Sequence, residues 1–208
     1  MGPVPSGVPL DYPLAPARPH PHMLRSLLGA LAWIEREHPQ PAGVHLLGDS
    51  AGGNLAMMLA ILSTNPDVFS RYDRRRTYLG PPIASVASLY GILDRHTWVE
   101  DGFPDARVLL EAYAGPSATS LAVTEENAIT PMDIDRIERL PPTFLGAGTR
   151  DALARSSRVA AARFQAAFPH VEHKTYPGAR HGFFGGGRGS RQLRADVAAF
   201  LLRHDPFA

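Results

Sequence analysis

The sequence predicts an α/β protein, with helices on both faces of a mostly parallel sheet of about five strands. Two observations carry that reading. Short apolar, β-prone runs alternate with helical patterns along the chain, and one helical segment is apolar on nearly every side, as a helix buried under a sheet would be. Strict alternation of strand and helix argues for parallel strands covered on both faces. The 208 residues suit a single domain able to bury a sizeable core, and a composition of 44% apolar and 20% charged residues is globular.

The five candidate strands run from Val8 to Tyr12, Val44 to Leu47, Ile83 to Tyr90, Thr143 to Ala147 and Val171 to Tyr176. Between the first two, Leu24, Leu27, Leu28, Leu31 and Ile34 fall on one stripe, after Pro21 and before Pro39, and predict a helix. Ala51 to Leu62 is the segment apolar all round. Val159, Phe164 and Phe168 mark a third helix from about Leu153 to Phe168, and a fourth near Arg191 to Leu202 ends the chain. The stretch from about residue 93 to 132 breaks the alternation. It holds Trp98, Phe103 and Tyr113 among scattered Gly and Pro, and is too long for a simple loop. A lid of short helices inserted over a pocket is favoured over a structural excursion.

Charge and composition exclude several classes. Lys plus Arg number 21 against 20 Asp plus Glu, a net charge of +1 that leaves no footprint for nucleic acid or an anionic membrane surface. Arg74-Arg75-Arg76 reads as a solvated loop. The absence of cysteine removes disulfides, thiolate metal sites and a cysteine nucleophile. The N-terminus, Met1-Gly2-Pro3-Val4-Pro5, shows no signal peptide. No stretch approaches the ~18 consecutive apolar residues of a membrane-spanning helix, so a soluble, cytoplasmic chain is expected.

Ligands of open parallel sheets bind outside the carboxyl ends of the strands. There, Val44-His45-Leu46-Leu47 leads into Gly48-Asp49-Ser50-Ala51-Gly52-Gly53 and then into the buried helix. A Gly-x-Ser-x-Gly match by itself is weak, but strand, sharp turn and helix are the context a nucleophile elbow requires. The turn forces Ser50 into a strained conformation, and small residues two before and two after it are expected to avoid clashes. It also sets the hydroxyl at a helix N-terminus, where positive partial charge favours a developing anion and the Ala51 N–H can donate to it.

A serine needs a base, and the base needs an orienting group. Of nine histidines, His20, His22 and His38 flank helix ends, His204 is near the terminus, His45 and His173 lie within strands, and His170 precedes one. His181 follows the last strand, in a loop after Pro177-Gly178-Ala179-Arg180, and has the right placement. Asp151 follows Phe144-Leu145-Gly146-Ala147-Gly148 and precedes a helix, so it sits at a strand's carboxyl end. Asp94, after Ser88-Leu89-Tyr90, is the second candidate. Asp133 and Asp135 sit in a polar run with no strand before them.

These residues resemble the hormone-sensitive-lipase-like branch of the α/β-hydrolases, which includes bacterial carboxylesterases and arylacetamide deacetylase relatives. Asp11-Tyr12-Pro13-Leu14-Ala15-Pro16 is similar to that family's D-Y-R-L-A-P segment, with Pro13 where arginine is usual. Gly48 to Ala56, GDSAGGNLA, matches its elbow. Pro141-Pro142-Thr143 and Gly148-Thr149-Arg150-Asp151-Ala152-Leu153 resemble its acid segment, with Ala152 for the usual proline, and His181-Gly182-Phe183 its histidine segment. The resemblance spans residues 11 to about 184. It implies an α/β-hydrolase fold, a Ser50–His181–Asp151 triad, cleavage of small-molecule esters through an acyl-enzyme, and no metal or organic cofactor. An amidase, peptidase or lactonase would use the same triad.

The family also carries a His-Gly-Gly-Gly segment upstream of D-Y-R-L-A-P, whose N–H groups form part of the oxyanion hole. Nothing before Asp11 resembles it, and Gly185-Gly186-Gly187, a flexible loop on the wrong strand, does not replace it. The resemblance therefore implies a partial fold. It lacks the strand between Val8 to Tyr12 and Val44 to Leu47, which leaves a gap or forces a non-family pairing there; an unpaired ladder would expose a sheet edge prone to association, the route to a homo-oligomer. A truncated gene product, a mis-called start or a fragment is favoured over a tolerated internal loss, and a loss of upstream sequence could have taken a signal or anchor with it. A catalytically impaired or silent hydrolase is the alternative expectation.

Overall fold

A computed structural model describes residues 7–39, 42–72, 77–101, 103–119 and 128–206. The Arg74-Arg75-Arg76 loop and Met1 to Pro5 lie outside these residues. Helix α1 (His22–Glu37) presents Met23, Leu24, Leu27 and Leu31 to the core, as the stripe predicts. Strand β1 (Val44–Asp49) runs into α2 (Ala51–Thr64), in which every residue from Gly53 to Leu62 is buried. A short α3 (Pro66–Tyr72) leads to β2 (Ile83–Leu89). Then come α4 (Arg95–Glu100), α5 (Ala106–Ala114), β3 (Thr143–Gly148), α6 (Ala154–Ala167), β4 (Val171–Tyr176) and α7 (Ser190–Arg203).

The four strands form one sheet in the order β1-β2-β3-β4, all parallel. Alternate residues of β2, β3 and β4 feed two separate cores, the period-2 consequence of the pleat. Val86 and Leu145 face α1, α2 and α6, while Ala87, Leu89 and Phe144 face Leu193, Val197 and Phe200 of α7. The central strands β2 and β3 are thus covered on both faces, whereas β1 buries Leu46 on one face and leaves Leu47 half exposed on the other. The register places Asp49 beside Leu89, Leu89 beside Gly146, and Gly148 beside Tyr176. All four carboxyl ends therefore open on one side of the molecule.

The structure corrects one strand. Residues 8–12 form no strand, and among the described residues the sheet has four strands, not five. Leu10 and Tyr12 are instead partly buried against the α1–α2 core. The apolar residues that suggest a strand are used for packing. Pro9 and Pro13 supply no backbone N–H for a ladder, and among the described residues β1 is an edge strand.

The stretch from 93 to 132 contains α4, α5 and 3₁₀ turns at Pro116–Thr119 and Pro131–Asp133; residues 120–127 lie outside the description. It has its own small core of Trp98, Ala106, Leu110, Ala118 and Ile129 around Leu153. Polar groups tie it down. Arg95 donates through Nε to Asp133 Oδ1 at 2.7 Å, with both side chains buried, and through Nη1 to the Ala118 carbonyl at 3.0 Å. Asn54 of α2 donates to the Ile129 carbonyl at 3.0 Å.

Candidate active site

Ser50 occupies the turn between β1 and α2 with φ 51° and ψ −118°, a conformation that L-residues hold only when packing enforces it. Two contacts enforce it here. The Ser50 N–H donates to the Leu89 carbonyl at 2.9 Å, which fixes the turn to the end of β2. A Cβ on Gly48 would lie 2.1 Å from the Gly52 carbonyl oxygen, so only glycine fits there. The expectation for the second small residue needs correction. A Cβ on Gly52 would meet nothing within 4 Å, whereas one on Gly53 would lie 2.8 Å from Ser88 Oγ and 2.9 Å from Gly91 Cα. Close packing of α2 on the end of β2, one residue further along, is what demands glycine.

The acid and histidine loops follow β3 and β4 and are laced together. The Thr149 N–H donates to the Tyr176 carbonyl (3.0 Å), the Arg150 N–H to the Ala179 carbonyl (2.9 Å), and the Gly178 N–H to Thr149 Oγ1 (2.8 Å). A Cβ on Gly148 would strike the Ala179 carbonyl oxygen at 2.4 Å, so glycine permits the close approach of the two loops.

These turns bring Ser50, His181 and Asp151 into one line of contacts. Ser50 Oγ lies 2.9 Å from His181 Nε2, and His181 Nδ1 lies 3.0 and 3.1 Å from the two Asp151 oxygens. The Asp151 side chain is fully buried, while that of His181 is 28% exposed. Asp151 Oδ1 also accepts the Leu153 N–H at 2.8 Å, which holds the carboxylate against rotation. Ala51 is the first residue of α2, and N–H groups in the first turn of a helix have no intrahelical acceptor. The arrangement can take a proton from Ser50 Oγ onto Nε2 while the carboxylate faces Nδ1.

The other candidates are engaged elsewhere. Asp94 caps α4, accepting the N–H groups of His96 and Thr97, each at 3.3 Å. Asp133 pairs with Arg95 and accepts the N–H groups of Ile129 and Thr130. His45 contacts Ser85 Oγ through Nδ1 at 2.7 Å within the sheet, and His170 the Leu140 carbonyl. Gly185 ends a 3₁₀ turn, Phe183–Gly185, on the histidine side of the site.

Two aromatic residues at the site escape sequence reasoning. Tyr90 and Phe103 approach the His181 ring edge-on, with centroids 5.0 and 5.5 Å away. Phe103 comes from the 93–132 stretch, which therefore reaches the histidine. Tyr90 is the first residue after β2. The strand-end rule that locates Ser50 points at it too, but a tyrosine carries no signature of its own.

The chain matches the alpha/beta hydrolase fold family over residues 8–185. It belongs to the α/β-hydrolase family. It is 26% identical over 190 residues to the carboxylesterase NlhH of Mycobacterium tuberculosis, covering 85% of this chain and 56% of that protein. It is also 26% identical over 204 residues to an esterase of Acinetobacter venetianus, covering 94% and 64%. The chain thus spans 56–64% of the length of these relatives. Among solved structures, a bacterial heroin esterase superposes with a TM-score of 0.73 at 24% identity, over 93% of this chain and 63% of that one. The esterase LipW of Mycobacterium marinum gives 0.71 at 23%, over 95% and 62%. Such likenesses establish the α/β-hydrolase fold of this chain. No helix among the described residues is long and apolar enough to cross a membrane.

Proposed function

We propose that this α/β-hydrolase cleaves small-molecule carboxylic esters through a covalent acyl-enzyme on Ser50. The observation that carries the reading is the continuous contact from Ser50 Oγ through His181 to the buried Asp151 carboxylate, built from the ends of three parallel strands. The names of the carboxylesterase and esterase relatives favour ester substrates.

In this reading Ser50 Oγ attacks the ester carbonyl carbon as His181 Nε2 takes its proton. Asp151 holds the imidazole with Nδ1–H toward it and stabilises the imidazolium. The Ala51 N–H donates to the oxyanion. Collapse of the tetrahedral intermediate breaks the C–O bond, and the alcohol leaves with the proton from Nε2. Water, deprotonated by the same nitrogen, then attacks the acyl carbon and frees Ser50. No step needs a metal or organic cofactor. The 93–132 stretch, with Phe103 at the histidine, acts as a lid over the acyl or alcohol group.

The 208 residues contain no His-Gly-Gly-Gly segment, and each oxyanion donor that is absent lowers turnover by about 10²–10³. One second reading rests on the absence of that segment from these residues: a folded hydrolase with little or no turnover. A fluorophosphonate probe and a p-nitrophenyl acyl ester separate the two. Labelling and turnover that both vanish in Ser50→Ala support the hydrolase. A cooperatively melting protein without labelling supports the silent form. An amidase or lactonase would share the triad, and a panel of amides and lactones beside esters distinguishes them.

A further inference from the structure

The geometry points to Tyr90 as a positioning residue that sets Ser50 and His181 at their mutual distance, through a hydroxyl bridge from the elbow to the histidine loop. This rests on the hydrolase reading above. The Tyr90 hydroxyl donates to Asp49 Oδ2 at 3.2 Å and accepts the Phe184 N–H at 3.3 Å. Asp49 immediately precedes Ser50, and Phe184 is three residues beyond His181. One oxygen atom therefore joins the two segments that must hold the nucleophile and the base in register.

The ring is clamped as firmly as the hydroxyl. Its edge lies against His181 and its face is tilted on Phe183, with centroids 5.0 and 5.4 Å away. Its backbone N–H donates to the Gly146 carbonyl of β3 at 2.6 Å, while the preceding carbonyl, of Leu89, accepts the Ser50 N–H. Tyr90 also holds a φ of 41°. For a bulky residue that is a strained, left-handed conformation, which persists only where the surroundings enforce it and which clusters at functional sites. Gly91 makes the turn possible, because a Cβ there would lie 2.3 Å from Ser88 Oγ.

A ring filling space between β2 and the histidine loop would need no hydroxyl, since phenylalanine has the same shape. Burial, and secondarily the Asp49 carboxylate, push the phenol up to about 12. It therefore stays protonated and able to donate across the neutral range. Strand β2 supplies none of Ser50, His181 and Asp151. Its last carbonyl and the residue after it nonetheless give Ser50 and His181 a common anchor.

The test is a double-mutant cycle on the full chain with Tyr90→Phe and Asp49→Ala, read by ester turnover, thermal melting and the His181 Nδ1–H resonance of ¹⁵N-histidine-labelled protein. Each single variant is expected to lose about tenfold in kcat, as for one or two hydrogen bonds, with KM little changed. The double variant should lose no more than either single one. In Tyr90→Phe the His181 ring proton should broaden and exchange faster while the melting temperature holds. A Tyr90→Phe kcat within twofold of the parent, or losses that multiply in the double variant, overturns the proposal. So does a fall in kcat that follows a fall in melting temperature with the His181 resonance unchanged. If the parent protein neither turns over an ester nor labels with fluorophosphonate, the hydrolase reading fails by itself. The resonance then decides alone: faster exchange in Tyr90→Phe supports the bridge, and an identical resonance overturns it.

Discussion

Replacing Asp151 with asparagine removes a charge from the site with almost no change of shape. The buried carboxylate accepts the Leu153 N–H on Oδ1 at 2.8 Å and faces His181 Nδ1 with both oxygens at 3.0–3.1 Å. Asparagine keeps one of the two oxygens and puts an NH₂ donor where the other stood. If its oxygen faces His181, its NH₂ group confronts the buried Leu153 N–H, and leaving that donor unsatisfied costs about 1–3 kcal/mol. The favoured orientation puts the oxygen on Leu153 and the NH₂ on Nδ1. That turns Nδ1 into an acceptor and moves the ring proton to Nε2, which then cannot take the Ser50 proton. A wrong tautomer of this kind lowers kcat by about 10⁴, or 5–6 kcal/mol of barrier, in the serine-protease case. The same loss is expected here, with the melting temperature nearly unchanged. The assay is steady-state hydrolysis of a p-nitrophenyl acyl ester by the parent, Asp151→Asn and Ser50→Ala. A kcat for Asp151→Asn within tenfold of the parent, alongside an inactive Ser50→Ala, would refute the assignment of Asp151 as the orienting acid.

Other expectations follow from single contacts. Gly48→Ala places a methyl 2.1 Å from the Gly52 carbonyl. It should abolish fluorophosphonate labelling and cost at least the 1–3 kcal/mol of an overpacked site, whereas Gly52→Ala, whose Cβ meets nothing, should fold as the parent does. Asp133→Ala removes the carboxylate partner of the buried Arg95 guanidinium, a loss of about 3–5 kcal/mol. At about 2–4 °C per kcal/mol that is roughly 6–20 °C of melting temperature, and an unchanged melt would mean that this pair does not clamp the 93–132 stretch. His20 packs against Tyr113 with ring centroids 5.4 Å apart, and burial lowers its pKa to about 4 against the opposing pull of Asp133. The unfolded chain, with an ordinary histidine near 6.5, then binds more protons between those values. The contribution of neutral His20, about 3 kcal/mol, is complete above pH 6.5 and lost as the pH falls toward 4. His20→Gln should flatten the acid limb of a melting-temperature profile, and an identical slope in the variant would refute this.

Much of the fold was legible in residue patterns because its elements are locally consistent. The stripe of α1, the all-round apolar α2 and the alternation of strands and helices each have one low-energy solution. The third helix lies within a residue of the bounds its pattern predicts, since Leu153 and Phe168 flank the observed Ala154–Ala167. The strand expected at Val8 to Tyr12 failed for a physical reason. A short apolar run signals burial, but a strand also needs a neighbour with free hydrogen-bonding groups, and Leu10 and Tyr12 are buried without one.

By itself the sequence determined which residues converge. Ser50, Asp151 and His181 each follow a parallel strand, and a parallel sheet puts all such positions on one side. Their contact distances were not determined by it. Those depend on Gly148 letting the acid and histidine loops touch, on Gly53 and Gly91 letting α2 close on β2, and on Tyr90 beside the histidine. Each of these is an approach between segments about thirty to ninety residues apart, invisible to any local pattern because packing across the sheet, not the chain's own periodicity, creates it.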